Sequence, residues 1–205
     1  MRLGLFGGTF DPVHFGHLVL AECCREQCRL DQVCFLPAAV PPHKRTGPLT
    51  PAENRIEMIE LAIAGNEAFA VSRYETDRGG VNYTVETLGH FQEENPGSEL
   101  FFLLGADMLR DLPHWRDPGR VCQLAVPVAV GRAGHPPLDF TPLAAFTTPE
   151  RLELIRTNQV QMPEIGISGT DIRRRVSAGL SIRYLTPRAV EAYIESHGLY
   201  AKDEG

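Results

Sequence analysis

The sequence predicts an α/β fold in which helices cover both faces of a mainly parallel sheet. Its 205 residues, 43% of them hydrophobic and 22% charged, suit one globular domain over residues 1–205. Short apolar stretches alternate with helical patterns along the chain, and such alternation is typical of parallel strands joined by crossover helices. The predicted strands are residues 2–7, 32–37, 69–75, 99–105, 126–131 and 160–166.

The charge and the cysteines exclude several classes of protein. A net charge of −6 argues against a nucleic-acid-binding face, which needs basic residues, so anionic ligands must be held by local groups. No apolar stretch is long enough to span a membrane and no signal peptide is recognisable, so we expect a cytoplasmic protein. Five cysteines in such a chain favour packing roles over disulfides or a metal cluster.

The first strand leads into the run from Gly7 to His17, which predicts a phosphate site. Gly7-Gly8 lets backbone N–H groups approach a ligand, and the loop turns at Asp11-Pro12. A helix begins near His14, so His14 and His17 share its first turn, where the helix dipole attracts anions. A single histidine is more often a packed or surface residue. The helix face expected on the sheet is Phe15, Leu18, Val19 and Cys23.

Three later helices begin with threonine followed by proline. Thr50-Pro51 predicts a capped helix over about 51–65, and the same pattern recurs at Thr148-Pro149 and Thr186-Pro187. The last of these helices ends near Gly198. It closes a helical C-terminal portion at about 168–200.

The second strand leads into a proline-rich loop at 38–48 with Lys44 near its centre. Consecutive prolines restrict the backbone and could present the lysine at a fixed height above the ligand crevice. A solvated basic loop explains the same residues. A second loop, at 131–142, begins next to Arg132 and is also rich in glycine and proline.

The third strand is followed by a glycine turn and a helix start at Tyr83-Thr84. Thr84 could cap this helix or hold a ligand there. After the fourth strand, Gly105 and Asp107 form a turn with a carboxylate suited to ribose hydroxyls, although Asp107 could equally be a helix cap. The only tryptophan, Trp115, follows and could be plain core.

Near the C-terminus, Ser168 followed by Asp171 is a helix-start pattern that leads into Arg173. The Ser168 and Thr170 hydroxyls, the backbone N–H groups and the two-pronged Arg173 guanidinium can bind phosphate. An ordinary cap with solvated arginines is the competing interpretation.

These motifs together resemble one family. The segment His-x-Gly-His is the signature of a nucleotidyltransferase superfamily, and the longer run Gly-Gly-Thr-Phe-Asp-Pro-x-His-x-Gly-His resembles the bacterial nicotinate mononucleotide adenylyltransferases. Four further motifs agree, at 36–44, 78–88, 104–115 and 167–173. Two positions depart from the family pattern: Ala133 stands where relatives often have proline, and Gly169 replaces a serine.

The resemblance implies a Rossmann-like nucleotidyltransferase fold and transfer of AMP from ATP to nicotinate mononucleotide. It implies catalytic roles for His14, His17, Lys44 and Arg173. The ATP-binding residues implied are Gly7, Gly8, Thr9, Phe10, Gly105, Asp107, Ser168 and Thr170. The residues implied for nicotinate mononucleotide are Lys44, Tyr83, Thr84, Trp115 and Arg132. Because the motifs contain no carboxylate cluster, Mg²⁺ is expected to be held by phosphates and water.

Two other functions fit parts of the pattern. One is a different member of the superfamily, such as phosphopantetheine adenylyltransferase or a cytidylyltransferase. The other is a nucleotide-binding regulator without turnover, although such a protein would not need groups for a leaving pyrophosphate. The expected partners are ATP and nicotinate mononucleotide, with neither nucleic acid nor membrane, and assembly into a homo-oligomer is left open.

Overall fold

The computed structural model describes residues 1–39, 49–132 and 138–202, and all six predicted strands form in them. They are β1 (Arg2–Gly8), β2 (Gln32–Pro37), β3 (Phe69–Val71), β4 (Glu99–Gly105), β5 (Ala125–Arg132) and β6 (Val160–Met162). Every pairing between them is parallel, so the described strands form a single parallel sheet.

The helices of the described ranges follow the predicted alternation. They are α1 (Phe15–Gln27), α2 (Ala52–Ile63), α3 (Tyr74–Arg78), α4 (Thr84–Glu94), α5 (Ala106–Asp111), α6 (Pro118–Leu124), α7 (Pro149–Thr157), α8 (Gly169–Ser177) and α9 (Arg188–Ser196). Short 3₁₀ turns lie at Leu112–His114 and Thr141–Ala145. None of these helices combines the length and the apolar character that a membrane crossing requires.

The strand order, β3-β2-β1-β4-β5-β6, places a switch of winding direction between β1 and β4. The chain moves outward from β1 to β3, then returns to pair β4 with the other side of β1. In sheets of this order, ligands bind beyond the carboxyl ends of the strands at the switch point. The loops that follow β1 and β4 therefore meet where a nucleotide is expected, and the fold is Rossmann-like as predicted.

Because parallel crossovers are right-handed, the helices that connect β1 to β3 lie on one face of the sheet and those that connect β3 to β6 lie on the other. Helix α1 packs across β1, β5 and β6, whereas α4 packs on α6. The inner strands are apolar almost throughout, as strands covered on both faces must be. At the edge of the sheet, the Gln27 side-chain amide donates to the Gln161 carbonyl in β6 and accepts the Gln161 N–H. These two hydrogen bonds pair backbone groups that an edge strand would otherwise leave open.

The prediction of which α1 residues face the sheet is wrong in detail. Phe15 is 37% exposed, and the fully buried positions of the helix are Ala21 and Cys24, followed by Cys28 at its C-cap. These residues are spaced three and four apart, and their small side chains let the helix lie close to the sheet. Leu18, Val19 and Cys23 are only partly buried, on the flank of that face.

The third and sixth strands are shorter than predicted. The Ser72 hydroxyl accepts the Tyr74 N–H at 3.2 Å, so the chain turns into α3 instead of extending to residue 75. The sixth strand stops at Met162, before Pro163. Proline has no N–H for the next hydrogen bond to β5.

Only one of the three threonine–proline starts forms the predicted cap. The Thr148 side chain accepts the Arg151 N–H, with Pro149 as the first residue of α7. The predicted caps at Thr50 and Thr186 are wrong, because α2 and α9 begin one residue later, after Pro51 and Pro187. The Thr186 hydroxyl instead donates to the Val13 carbonyl at 2.8 Å.

Candidate active site

The β1–α1 loop, residues 9–14, leaves the sheet at the switch point. A Cβ added to Gly8 would lie 2.9 Å from the Phe10 ring, closer than real Cβ atoms approach, so this glycine is needed for packing. Phe10 has a φ of +48° and is fully buried. Its ring therefore supports the loop from beneath, and only its backbone can meet a ligand.

His14 and His17 form a stacked pair at the start of α1, as the sequence predicted. Their ring centroids lie 3.7 Å apart with the planes 20° from parallel. The backbone N–H of His14 donates to Nδ1 of His17 at 3.3 Å. Because Nδ1 accepts this hydrogen bond, neutral His17 carries its own proton on Nε2. His17 is only partly buried, so this N–H is suited to donate to a bound oxygen.

The glycine between the two histidines makes the stack possible. A Cβ on Gly16 would lie 3.1 Å from two atoms of the His14 ring, which is tighter than nearly all real contacts. A side chain at Gly16 would therefore push the His14 ring away from its present position. The Phe10 ring packs edge-on against His17 with centroids 5.0 Å apart, which limits movement of that ring as well.

Both histidines are neutral at pH 7. Burial lowers the pKa of His14 to about 4, and burial together with the adjacent His14 ring lowers the pKa of His17 well below its usual value. The pair therefore offers N–H donors to an anion and no net positive charge.

Stability should consequently depend on pH through His14. Between pH 6.5 and about 4 the unfolded chain binds a proton at this position and the folded chain does not, so the unfolding free energy decreases as the pH falls. The full contribution is about 3 kcal/mol. Urea unfolding of wild type and His14→Asn at pH 7 and at pH 4.5 measures it. The difference between the two proteins should change by more than 1 kcal/mol; a constant difference would contradict the assignment.

Helix α8 brings the C-terminal motif onto the β1–α1 loop. The Ser168 side chain caps the helix by accepting the Asp171 N–H at 3.2 Å. The Arg173 guanidinium donates to the Asp11 carbonyl and, at 3.2 Å, to the Thr170 hydroxyl. Arg173 is thus held at the loop that carries His14, instead of being solvated.

Gly169 explains how α8 comes so close. A Cβ at this position would lie 2.8 Å from the Asp11 carbonyl oxygen, which belongs to the backbone and cannot easily move. The serine of the family pattern would require α8 and the loop to separate. Glycine at this position therefore allows the approach of α8 to the Asp11 backbone that is seen in this chain.

Sequence reasoning missed the role of Asp11 beyond the turn. Its carboxylate is 3% exposed and accepts the Tyr200 hydroxyl at 2.6 Å, across 189 residues of sequence. Burial and the Asp11 charge raise the pKa of Tyr200, so its hydroxyl stays protonated and can donate. The C-terminal segment thus holds the β1–α1 loop. A buried aspartate before proline gives no sequence signal for so distant a partner.

The residues that follow β4 form a second side of the crevice at the switch point. Asp107 is exposed and pairs with Arg110, and the N-cap of α5 is Gly105, so the competing prediction that Asp107 caps this helix is wrong. Trp115 is partly buried and packs edge-on against Phe102, with centroids 6.0 Å apart. Phe102 in turn lies 3.7 Å from the position of a Cβ on Gly7, which places Trp115 one ring away from the end of β1.

Tyr83 and Thr84 lie at the start of α4. The N-cap is Tyr83 and makes no side-chain cap, so the predicted capping role of Thr84 is wrong. The Arg116 guanidinium lies 4.5 Å above the Tyr83 ring and also pairs with Glu86 at 2.9 Å. This pairing connects the residue after Trp115 with the start of α4.

Some predicted site residues fall beyond what is described. Lys44 lies outside the described residues, and of Arg132 the structure describes the backbone, as the last residue of β5. Within the described ranges, no group of three or more histidine, cysteine, aspartate or glutamate side chains could hold a metal ion.

The chain is similar to proteins of known families over nearly its whole length. The family model described as cytidylyltransferase-like matches residues 5–175. A protein of Thermus thermophilus named "Probable nicotinate-nucleotide adenylyltransferase" is 48% identical over 200 residues, covering 98% of this chain and 100% of that one. A protein of the same name from Thermomicrobium roseum is 45% identical over 199 residues, covering 97% and 91%.

Solved structures agree with the fold. The nicotinic acid mononucleotide adenylyltransferase of Plasmodium falciparum, complexed with NaAD, superposes with a TM-score of 0.76 at 18% identity and covers 97% of each chain. The same enzyme complexed with APC gives a TM-score of 0.75 at 17% identity, over 97% of this chain and 96% of that one.

Proposed function

This chain belongs to the nicotinate-nucleotide adenylyltransferases of the cytidylyltransferase-like family, and we propose that it transfers AMP from ATP to nicotinate mononucleotide, forming nicotinate adenine dinucleotide and pyrophosphate. The observation that carries the proposal is the stacked His14–His17 pair at the switch point, with Arg173 bound to the same loop. These groups supply two neutral donors and one cation where a polyphosphate is expected.

The phosphate of nicotinate mononucleotide is the nucleophile. One of its oxygens forms a bond to the α-phosphorus of ATP while the bond from that phosphorus to the bridging oxygen of the β-phosphate breaks, releasing pyrophosphate. The second pKa of a phosphate monoester is about 6, so the nucleophile is already ionised at neutral pH and needs no general base. Catalysis then consists of alignment and charge stabilisation.

The catalytic residues divide into two groups in this scheme. His14 donates to the α-phosphate as negative charge redistributes on its oxygens. His17, Lys44 and Arg173 hold the departing pyrophosphate. Because the pKa of both histidines is low, they act as N–H donors, and the positive charge comes from the lysine and the arginine. When bound with ATP, Mg²⁺ would offset the charge of the phosphates and would be held by phosphate oxygens and water.

The two substrates are assigned to different parts of the crevice. ATP lies along the backbone of Gly7, Gly8, Thr9 and Phe10. Gly105 and Asp107 bind its ribose, and Ser168 and Thr170 lie near its phosphates. Nicotinate mononucleotide is assigned to Tyr83, Thr84, Trp115, Arg132 and Lys44. The partly buried Trp115 ring suits stacking on a pyridine.

A comparison of acceptors tests the proposal. Pyrophosphate release from MgATP is measured with nicotinate mononucleotide, nicotinamide mononucleotide and phosphopantetheine, and with CTP replacing ATP. We expect the highest kcat/KM with ATP and nicotinate mononucleotide. Faster turnover of phosphopantetheine or CTP would assign the chain to another branch of the superfamily. Nucleotide binding without any turnover would favour a regulator and contradict the proposal.

A further inference from the structure

Arg55 is a buried cation beside the β1–α1 loop, and nothing in the sequence motifs accounts for it. It lies in the first turn of α2, is 1% exposed, and is among the largest fully buried side chains of the described residues. Its neighbours on the buried face of α2 are apolar, namely Ile56, Met58 and Ile59. A helix that needed only packing would place an apolar side chain at this position.

The guanidinium joins three separate segments of the chain. Its Nη1 group donates to the Thr9 and Ala38 carbonyls, each at 2.9 Å, and its Nε group donates to the Thr50 carbonyl at 2.9 Å. Thr9 begins the β1–α1 loop. Ala38 and Thr50 lie on either side of residues 40–48. A single side chain therefore bonds to the loop that leads to His14 and to both flanks of the segment that contains Lys44.

The cost of burying this charge makes the arrangement informative. Removing a cation from water costs several kcal/mol, which well-aligned hydrogen bonds can offset. All three of these carbonyls belong to segments that border the site. A direct bond from the Ala38 N–H to the Gly8 carbonyl, at 2.9 Å, connects the same two loops. The planar guanidinium fixes the directions of its donors, which a lysine ammonium does not.

We propose that Arg55 is a positioning residue that holds the β1–α1 loop and the two flanks of residues 40–48 in one geometry. This inference rests on the proposed function for the identity of the bound nucleotide. It adds a requirement: the β1–α1 loop and the two flanks of the segment that contains Lys44 keep the spacing that a bound triphosphate needs only while Arg55 joins them. Arg55 touches no substrate in this scheme.

A double-mutant cycle tests this role. Arg55→Lys keeps the charge and loses the planar donor geometry, and it is measured in the wild-type background and with Lys44→Ala. We expect Arg55→Lys to lower kcat/KM for ATP by about 100-fold, the scale of a misplacement near 1 Å. In the Lys44→Ala background the same change should lower kcat/KM by only about tenfold, because the effects of coupled residues are not additive.

Arg73→Lys is the matched control. Arg73 is exposed at the start of α3 and pairs with Glu53 on the surface of α2, the helix that contains Arg55. The substitution should leave the kinetics unchanged. Equal factors in both backgrounds, or wild-type kinetics for Arg55→Lys, would overturn the inference. If thermal melting shows that Arg55→Lys is unfolded at the assay temperature, Arg55→Gln, which retains two amide donors, replaces it in the cycle under the same criteria.

The Kd for MgATP of each protein in the cycle is also measured by calorimetry. This second readout keeps the two hypotheses separate, because it does not depend on the acceptor. Lack of turnover by the wild type with every acceptor would overturn the proposed function. In that case the Kd values would still decide the role of Arg55: coupling with Lys44 in ATP binding would support it, and additivity would overturn it.

Discussion

His17→Ala is expected to lower kcat by about 10²- to 10³-fold, the effect of removing one preorganised donor from a transition state. The Nδ1 atom of His17 accepts the backbone N–H of His14, so the remaining ring proton lies on Nε2 and is oriented before substrate binds. Under the proposed function, a donor fixed in this way would stabilise the leaving pyrophosphate without reorganisation. Rapid-quench measurement of pyrophosphate formation at saturating substrates gives the value.

The control for this substitution is His90→Ala. His90 also stacks on an aromatic ring, that of Tyr74, with centroids 3.8 Å apart, but it belongs to no predicted motif. Both variants lose a stacked imidazole, so they should have comparable melting temperatures, while only His17→Ala should lose turnover. Near-normal turnover of a folded His17→Ala protein would refute the assigned role.

Arg173→Ala is expected to reduce kcat/KM for ATP by about 10²- to 10³-fold, since an arginine that stabilises phosphoryl charge contributes at least this much in related chemistry. The substitution removes a cation from the site and also the bond that joins α8 to the Asp11 carbonyl. Both losses act on the triphosphate. Initial rates at varied MgATP, with the acceptor saturating, measure the effect.

Arg174→Ala provides the comparison for Arg173. Arg174 is the next residue of α8, but its side chain is 75% exposed and pairs with Asp171. It should therefore retain wild-type kinetics. Arg173→Lys separates charge from geometry, and we expect an intermediate rate. Equal kinetics for the Arg173 and Arg174 variants would show that Arg173 takes no part in turnover and would contradict its assigned role.

The burial of the histidines changes how the site attracts phosphate. The sequence alone places two imidazoles at a helix start, where protonated rings would bind an anion by charge. Burial lowers the pKa of both rings, so a phosphate meets neutral donors. Under the proposed function, positive charge must therefore come from arginine and lysine side chains of other segments, which is why we expect Arg173 to matter as much as the histidines.

Local patterns predicted the strands and the site motifs. The inner strands β1, β2, β4 and β5 are largely apolar runs, and each motif begins at the end of a strand or in the connection after it, so neighbouring residues suffice to recognise them. The errors arose where a choice depended on a neighbour in space. Thr186 was predicted to cap a helix, but its hydroxyl bonds to Val13, 173 residues away.

The sequence by itself therefore determined the order of elements and the family to which the chain belongs, and it predicted a phosphate site at the first turn of α1. Only the tertiary structure decided the protonation of His14 and His17, the attachment of Arg173 and Tyr200 to Asp11, and the burial of Arg55. The physical reason is the distance along the sequence over which each effect acts. Propensity and periodicity act over a few residues, whereas desolvation and a hydrogen bond between residues 11 and 200 exist only after the sheet has brought them together.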